Sequence, residues 1–159
     1  MTSPSKQDRL RLRAEDEEDL AVLSACLQDA LVAVRDIVHL PAERRLVMVV
    51  NRYRWEKDQD PAAEGPAERV LCAVAMEGVR QVRRRGIDQG RPGHLLSVLA
   101  IRPSDTKQGM PTIEIVFSGQ AAVRVDLDRL QLRAEDVEEP YPTAWRPRHK
   151  LDDSATGAS

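Results

Sequence analysis

Leu46 to Trp55, LVMVVNRYRW, carries the two-residue period of a β-strand, and its reading sets the fold of the rest. Leu46, Met48, Val50, Arg52 and Arg54 share one predicted face, and Val47, Val49, Asn51, Tyr53 and Trp55 share the other. The stretch therefore starts inside an apolar core and ends among arginines and aromatics. It also holds two of the five aromatic residues of the chain. Its far end, Arg52, Tyr53, Arg54 and Trp55, is the first candidate for a binding surface.

Working outward, Leu31 to Leu40 reads as a strand and Leu40-Pro41-Ala42-Glu43-Arg44 as a turn, which makes a hairpin with the stretch ending at Trp55. Residues 56–67, EKDQDPAAEGPA, hold charges and turn formers without a large apolar side chain, and read as an exposed, mobile loop. Val70 to Met76 is apolar on both faces, the pattern of a strand in mid-sheet with a cover on each side. Gly78 breaks it, and Val79 to Arg85 follows. Leu95 to Ile101 is a further buried run, and 103–111 a polar loop. Thr112 to Ser118 and Ala121 to Leu127 flank Ser118-Gly119-Gln120, a tight hairpin in which Gly supplies positive φ.

Upstream, Arg9 to Arg13 alternates strictly and reads as a half-buried edge strand. The acidic run Glu15 to Asp19 suits the first turn of a helix, where carboxylates meet unpaired N–H groups. Leu20, Leu23, Leu27 and Ala30 continue at helical spacing, so a helix is expected over residues 16–30. RLRLRAED at 9–16 recurs as RLQLRAED at 129–136, but the flanks differ. Two edge-type strands explain that echo more simply than a duplication. The expected fold class is α+β: one N-terminal amphipathic helix packed on a mostly antiparallel, curled or barrel-like sheet of about eight strands. One domain is expected over 9–150, with a disordered N-terminus at 1–8 and a disordered tail at 151–159.

A net charge of −2 supplies no global basic field for nucleic acid or anionic membrane. No run of about 18 apolar residues is present, so no membrane partner is expected. Cys26 and Cys72 stand apart in apolar surroundings, as reduced core thiols do, and a cytoplasmic location is expected. His39, His94 and His149 lack metal-ligand spacing, Ser24 and Ser118 lie outside any nucleophile elbow, and no phosphate-binding glycine loop occurs. No catalytic residue, metal or cofactor is assigned. An enzyme with a dispersed site would have to combine His94 or His39 with Asp88 or Asp36.

The basic residues say more. Arg83, Arg84 and Arg85 crowd the end of one strand, with Arg80 before and Arg91 after them. Were that strand to neighbour the one ending at Trp55, guanidinium forks and aromatic faces would form one surface suited to RNA or an anionic ligand. Arginine stems that cover apolar edges and pair with the acidic runs explain the same residues structurally, and that explanation is the stronger one, since a single-strand binder shows more aromatics.

SACLQDALV (24–32), HLPAERRLVMVVNRYRWE (39–56), RVLCAVAMEGVRQVRRRGID (69–88) and HLLSVLAIRP (94–103), closed by Trp145-Arg146-Pro147 and His149, resemble domain-of-unknown-function family 2948, a group of small alphaproteobacterial proteins. The resemblance implies no activity, cofactor or catalytic residue. The leading expectation is a non-catalytic protein-binding or scaffold module using an Arg/Trp surface of Arg52, Arg54, Tyr53 and Trp55. RNA or anionic small-ligand binding, with Arg83, Arg84 and Arg85 added to that surface, is the alternative.

Overall fold

The computed structural model describes residues 9–104 and 109–143. The expectations for residues 1–8, for Trp145 and His149, and for the tail lie outside the described residues. Two helices and eleven strands follow in the order β1 (Arg11–Ala14), α1 (Glu17–Leu27), β2 (Leu31–Ala33), β3 (Ile37–Leu40), β4 (Arg45–Tyr53), α2 (Trp55–Asp58), β5 (Glu68–Glu77), β6 (Val79–Arg85), β7 (Leu95–Ser104), β8 (Thr112–Phe117), β9 (Ala122–Leu127), β10 (Leu132–Asp136) and β11 (Tyr141–Pro142). The expected count of about eight is corrected upward, because the strand expected over 31–40 is split into β2 and β3 and the two-residue β11 escapes sequence periodicity.

All pairings are antiparallel, in the order β1-β10-β5-β4-β2-β7-β8-β9-β6, with β3 on β4 and β11 on β5. The ends of this order, β1 and β6, do not pair with each other, so the sheet is open and not a closed barrel. It curls nonetheless. β5 passes into β6 through the single residue Gly78, at φ 67°, which takes the chain from mid-sheet to its far edge. There the Val79 amide donates to the Arg44 carbonyl at 2.9 Å, beside the start of β4. The two halves enclose one core: Leu46, Met48 and Val50 of β4, Cys72, Val74 and Met76 of β5, and Ile113, Ile115, Val123 and Val125 of β8 and β9. Leu20, Leu23 and Leu27 of α1 join it.

Local chemistry sets the boundaries. Asp16 caps α1 by accepting from the Asp19 amide at 2.7 Å, while the Asp19 carboxylate accepts from the Glu15 amide at 3.2 Å. The helix stops at Leu27, three residues short of the expected end, because Asp29 turns left-handed at φ 64° and gives its amide to the Val98 carbonyl. The expected strand over residues 31–40 is broken by a 3-10 turn at Val34–Asp36, which donates to the carbonyls of His94 and Pro92. Its halves pair differently, β2 with β7 and β4, and β3 with β4 alone. β4 ends at Tyr53, and Trp55 opens α2, so Arg54 and Trp55 leave the predicted strand faces. Gly119 and Gln120 both take positive φ (70° and 64°) in the expected hairpin between β8 and β9.

The echo has an unexpected solution. The two similar segments pair with each other, Leu12 opposite Ala134, Arg13 opposite Arg133 and Ala14 opposite Leu132. Equivalent residues are thus related by a local two-fold through the Arg13–Arg133 pair. Only β1 is an edge; β10 lies between β1 and β5.

Candidate functional site

The predicted Arg/Trp surface is an interior ion cluster at the end of β4. Arg52 is fully buried on the same face as Leu46, Met48 and Val50. Its Nε and Nη2 each donate to Asp136 at 2.8 Å, and Nη1 and Nη2 donate to Glu56 at 2.9 and 2.8 Å. One planar fork thus bridges two carboxylates, geometry that lysine cannot reproduce. Burial alone would lower the Arg52 pKa, but these hydrogen bonds outweigh it and raise the value above that of an ordinary guanidinium. Burial likewise acts to raise the Glu56 pKa, and the Arg52 hydrogen bonds and charge override it to hold Glu56 below its ordinary 4.5. Asp136 also accepts from the Leu10 amide at 2.9 Å, so the cluster fastens the start of β1.

Tyr53 is fully buried as well, and its hydroxyl donates to Asp58 at 2.7 Å. Its ring meets Trp55 edge-on, with centroids 4.7 Å apart. The indole Nε1 of Trp55 donates to the Gln28 carbonyl at 3.0 Å, which ties α2 to the end of α1. Arg54 pairs with Glu68. Arg52 and Tyr53 are therefore corrected from surface anchors to interior residues, and Arg54 and Trp55 are largely occupied by their own chain. Beside the cluster, burial raises the Cys26 thiol pKa and pushes the Cys72 thiol up to about 12, which leaves both poor nucleophiles. A cleft of about 550 Å³ outside the cluster is lined by Arg9, Arg54, Glu56, Lys57, Asp60 and Glu64, charges of both signs.

Arg83, Arg84 and Arg85 do not join this cluster. They sit on β6, exposed, at the far edge of the sheet. The contact with β6 is at Arg44, just before β4 begins, and Arg52 lies seven residues beyond Arg45, about 23 Å along at the rise of a strand. The conditional patch of arginines and aromatics is not formed. Nor does any hydrogen bond or ion pair among the described residues join His39 or His94 to Asp36 or Asp88, and no metal-competent group of His, Cys, Asp and Glu is found among them.

What sequence reasoning missed is the other side of the same strands. Directly opposed residues point to one face, so the register gives the outer surface row by row. Val38 stands opposite Val47, and Val47 opposite Ala75; Val49 stands opposite Ala73, and Asn51 opposite Leu71. Val137 continues beside Leu71, to whose carbonyl it donates. Exposure is 41% at Val38, 37% at Val49 and 47% at Val137, while Val47, Leu71, Ala73 and Ala75 are half-buried. From strand spacing and rise, the face covers roughly 400 Å², the scale at which apolar patches on monomers carry function. Its rim is charged: Arg45 and Arg133 meet Glu77 at 3.0 and 3.2 Å, and Arg11 meets Glu135 at 3.4 Å. At one corner a recess of about 350 Å³ opens between Arg13, Arg45, Glu77 and Arg133. Asn51 donates to the Tyr141 hydroxyl at the opposite end. The signal was present in Val70 to Met76, read as a strand needing a cover on both sides. The inner cover is the core; the outer cover is missing among the described residues.

No helix among the described residues is long and apolar enough to cross a membrane. No curated protein and no solved structure matches the chain. A family model described as "Protein of unknown function (DUF2948)" matches residues 10–149, nearly the whole chain, and the protein belongs to that family.

Proposed function

We propose that this protein is a non-catalytic binding or scaffold module that docks a protein partner on the apolar outer face of β3, β4 and β5. One observation supports the reading: β5 is built with apolar residues on both faces, and among the described residues only its inner face is covered. Covering about 400 Å² of apolar surface contributes on the order of 10 kcal/mol before the cost of association. Stable interfaces take about 800 Å² from each partner, so the partner also reaches the charged rim at Arg11, Arg45, Glu77 and Arg133. Its matching surface is flat, apolar and flanked by both charge signs. A cytoplasmic setting fits two cysteines that form no disulfide.

The test is affinity purification of the tagged full chain from its host, wild type beside Val49→Glu. Val49 points outward, so the variant stays folded, which its urea transition verifies. A stoichiometric partner retained by the wild type and lost in Val49→Glu supports the reading. A partner list that is identical for the two proteins refutes it.

A further inference from the structure

The second surface lies at the opposite end of the sheet and owes nothing to the apolar face. β6 closes the strand order and pairs only with β9 among the described residues. An edge strand presents backbone N–H and C=O groups to whatever lies alongside. Arg80, Arg83, Arg84 and Arg85 all stand on it, exposed. Two of them have partners within the chain: Arg83 meets Asp126 at 2.9 Å and Arg80 meets Asp128 at 3.6 Å. Arg84 and Arg85 form no ion pair among the described residues.

Their placement is informative. Val82 stands opposite the buried Val125, and Arg84 opposite the buried Val123, so Arg84 is on the core-facing side of β6 yet beyond the core's cover. Arg83, opposite Arg124, and Arg85 lie on the outer side. That outer side continues inward as a ladder in which Glu114 meets Arg124 at 3.5 Å and Arg102 at 2.9 Å. Four arginines there face two carboxylates, Glu114 and Asp126. A strand added beside β6 would meet guanidinium groups on both of its faces, so consecutive carboxylates satisfy it better than alternating ones.

We propose that the β6 edge binds an extended acidic segment of a partner protein as an added strand, with carboxylates set against Arg83, Arg84 and Arg85. Single-stranded RNA shares the negative charge but needs aromatic platforms for its bases. β6 and β9 carry no aromatic residue, and Phe117 on the neighbouring β8 is buried.

The probe is a fluorescein-labelled peptide, Thr-Glu-Glu-Glu-Val-Thr, titrated against the full chain by anisotropy. Saturable binding that weakens with salt is expected. Arg84→Gln/Arg85→Gln weakens it about tenfold, the order set by two rim-exposed ion pairs. Both side chains are exposed and form no ion pair among the described residues, so an unchanged urea midpoint certifies the fold. The same peptide N-methylated at alternate amides loses binding, because an added strand needs its backbone donors. Equal binding by the methylated peptide, equal binding by the variant, or no binding at all overturns the proposal. Tighter binding of a labelled oligouridylate than of the peptide overturns it in favour of nucleic acid. Val49→Glu leaves peptide binding unchanged, which keeps this test separate from that of the apolar face.

Discussion

The two faces of β4 carry similar residues in register and have different surroundings. On the inner face Leu46, Met48 and Val50 vanish into the core, and even Arg52 is fully buried. On the outer face Val47 is half-buried and Val49 stands open. Alternation fixes which residues share a face, but it cannot say whether a face is covered. A charged residue, Arg52, can thus lie deeper than a valine three positions away, Val49. What decides is the neighbouring layer: the inner face meets α1 and the second half of the sheet, while among the described residues no layer covers the outer face.

The largest effect should come from the inner ion cluster. Asp136→Ala strips Arg52 of its fully buried partner and removes the acceptor for the Leu10 amide. A loss of about 3 kcal/mol in urea denaturation is expected, the cost of removing one of the two carboxylates that hold a buried guanidinium, with Glu56 left as its remaining partner. A loss below about 1 kcal/mol would mean that Arg52 reaches water and that the inner face is less closed than its geometry says. The second effect sets one face directly against the other. Val50→Ala leaves a cavity beside Cys72 and costs about 2–3 kcal/mol, whereas Val49→Ala, already open to solvent, stays within about 0.5–1 kcal/mol. Equal losses would show that a cover shields the outer face after all.

The smallest effect is acid sensitivity. Arg52 holds Glu56 below its ordinary value against the effect of burial. On the second half of the sheet, the Arg102 hydrogen bond holds Glu114 low, against a smaller burial effect. A depressed carboxyl stabilises fully above its unfolded value near 4.3 and loses that contribution as pH falls through the lowered folded value. Stability should therefore decline below about pH 4, and Glu56→Gln should flatten that decline. The change is under about 1 kcal/mol, since the Glu56 side chain is 45% exposed and screened. The apolar outer face titrates nothing, so uncharged substitutions there, such as Val49→Ala, leave the acid limb unmoved.

Much of this fold was legible in the chain. The leucine spacing and the acidic run at Glu15 to Asp19 mark α1, the alternation from Leu46 marks β4 but runs two residues too far, to Trp55, and Gly119 marks the hairpin between β8 and β9. The places that escaped are set by contacts distant in sequence. Nothing local says that Val34–Asp36 must turn to reach the carbonyls of Pro92 and His94. Nor could alternation reveal that Arg52 would find Asp136, 84 residues on, and sink with it. The site fared worse because exposure was inferred from residue type. Arginine and tryptophan look like surface anchors until their partners are known, and valine looks like core until its cover is found absent. The arginines of β6 were recognised correctly as a group, but not as a separate edge, since strand adjacency is a property of topology.

The pairing of β1 with β10 bears on how the chain emerges during synthesis. Every partner of Arg11–Ala14 in this pairing lies at or beyond Leu132, so the first of the described strands to be made is among the last to be bonded. Through most of translation Leu10, Leu12 and their arginines wait without the strand they will lie against, and the long loop this closes carries a high entropic cost. The strand that arrives at last resembles the one that waited.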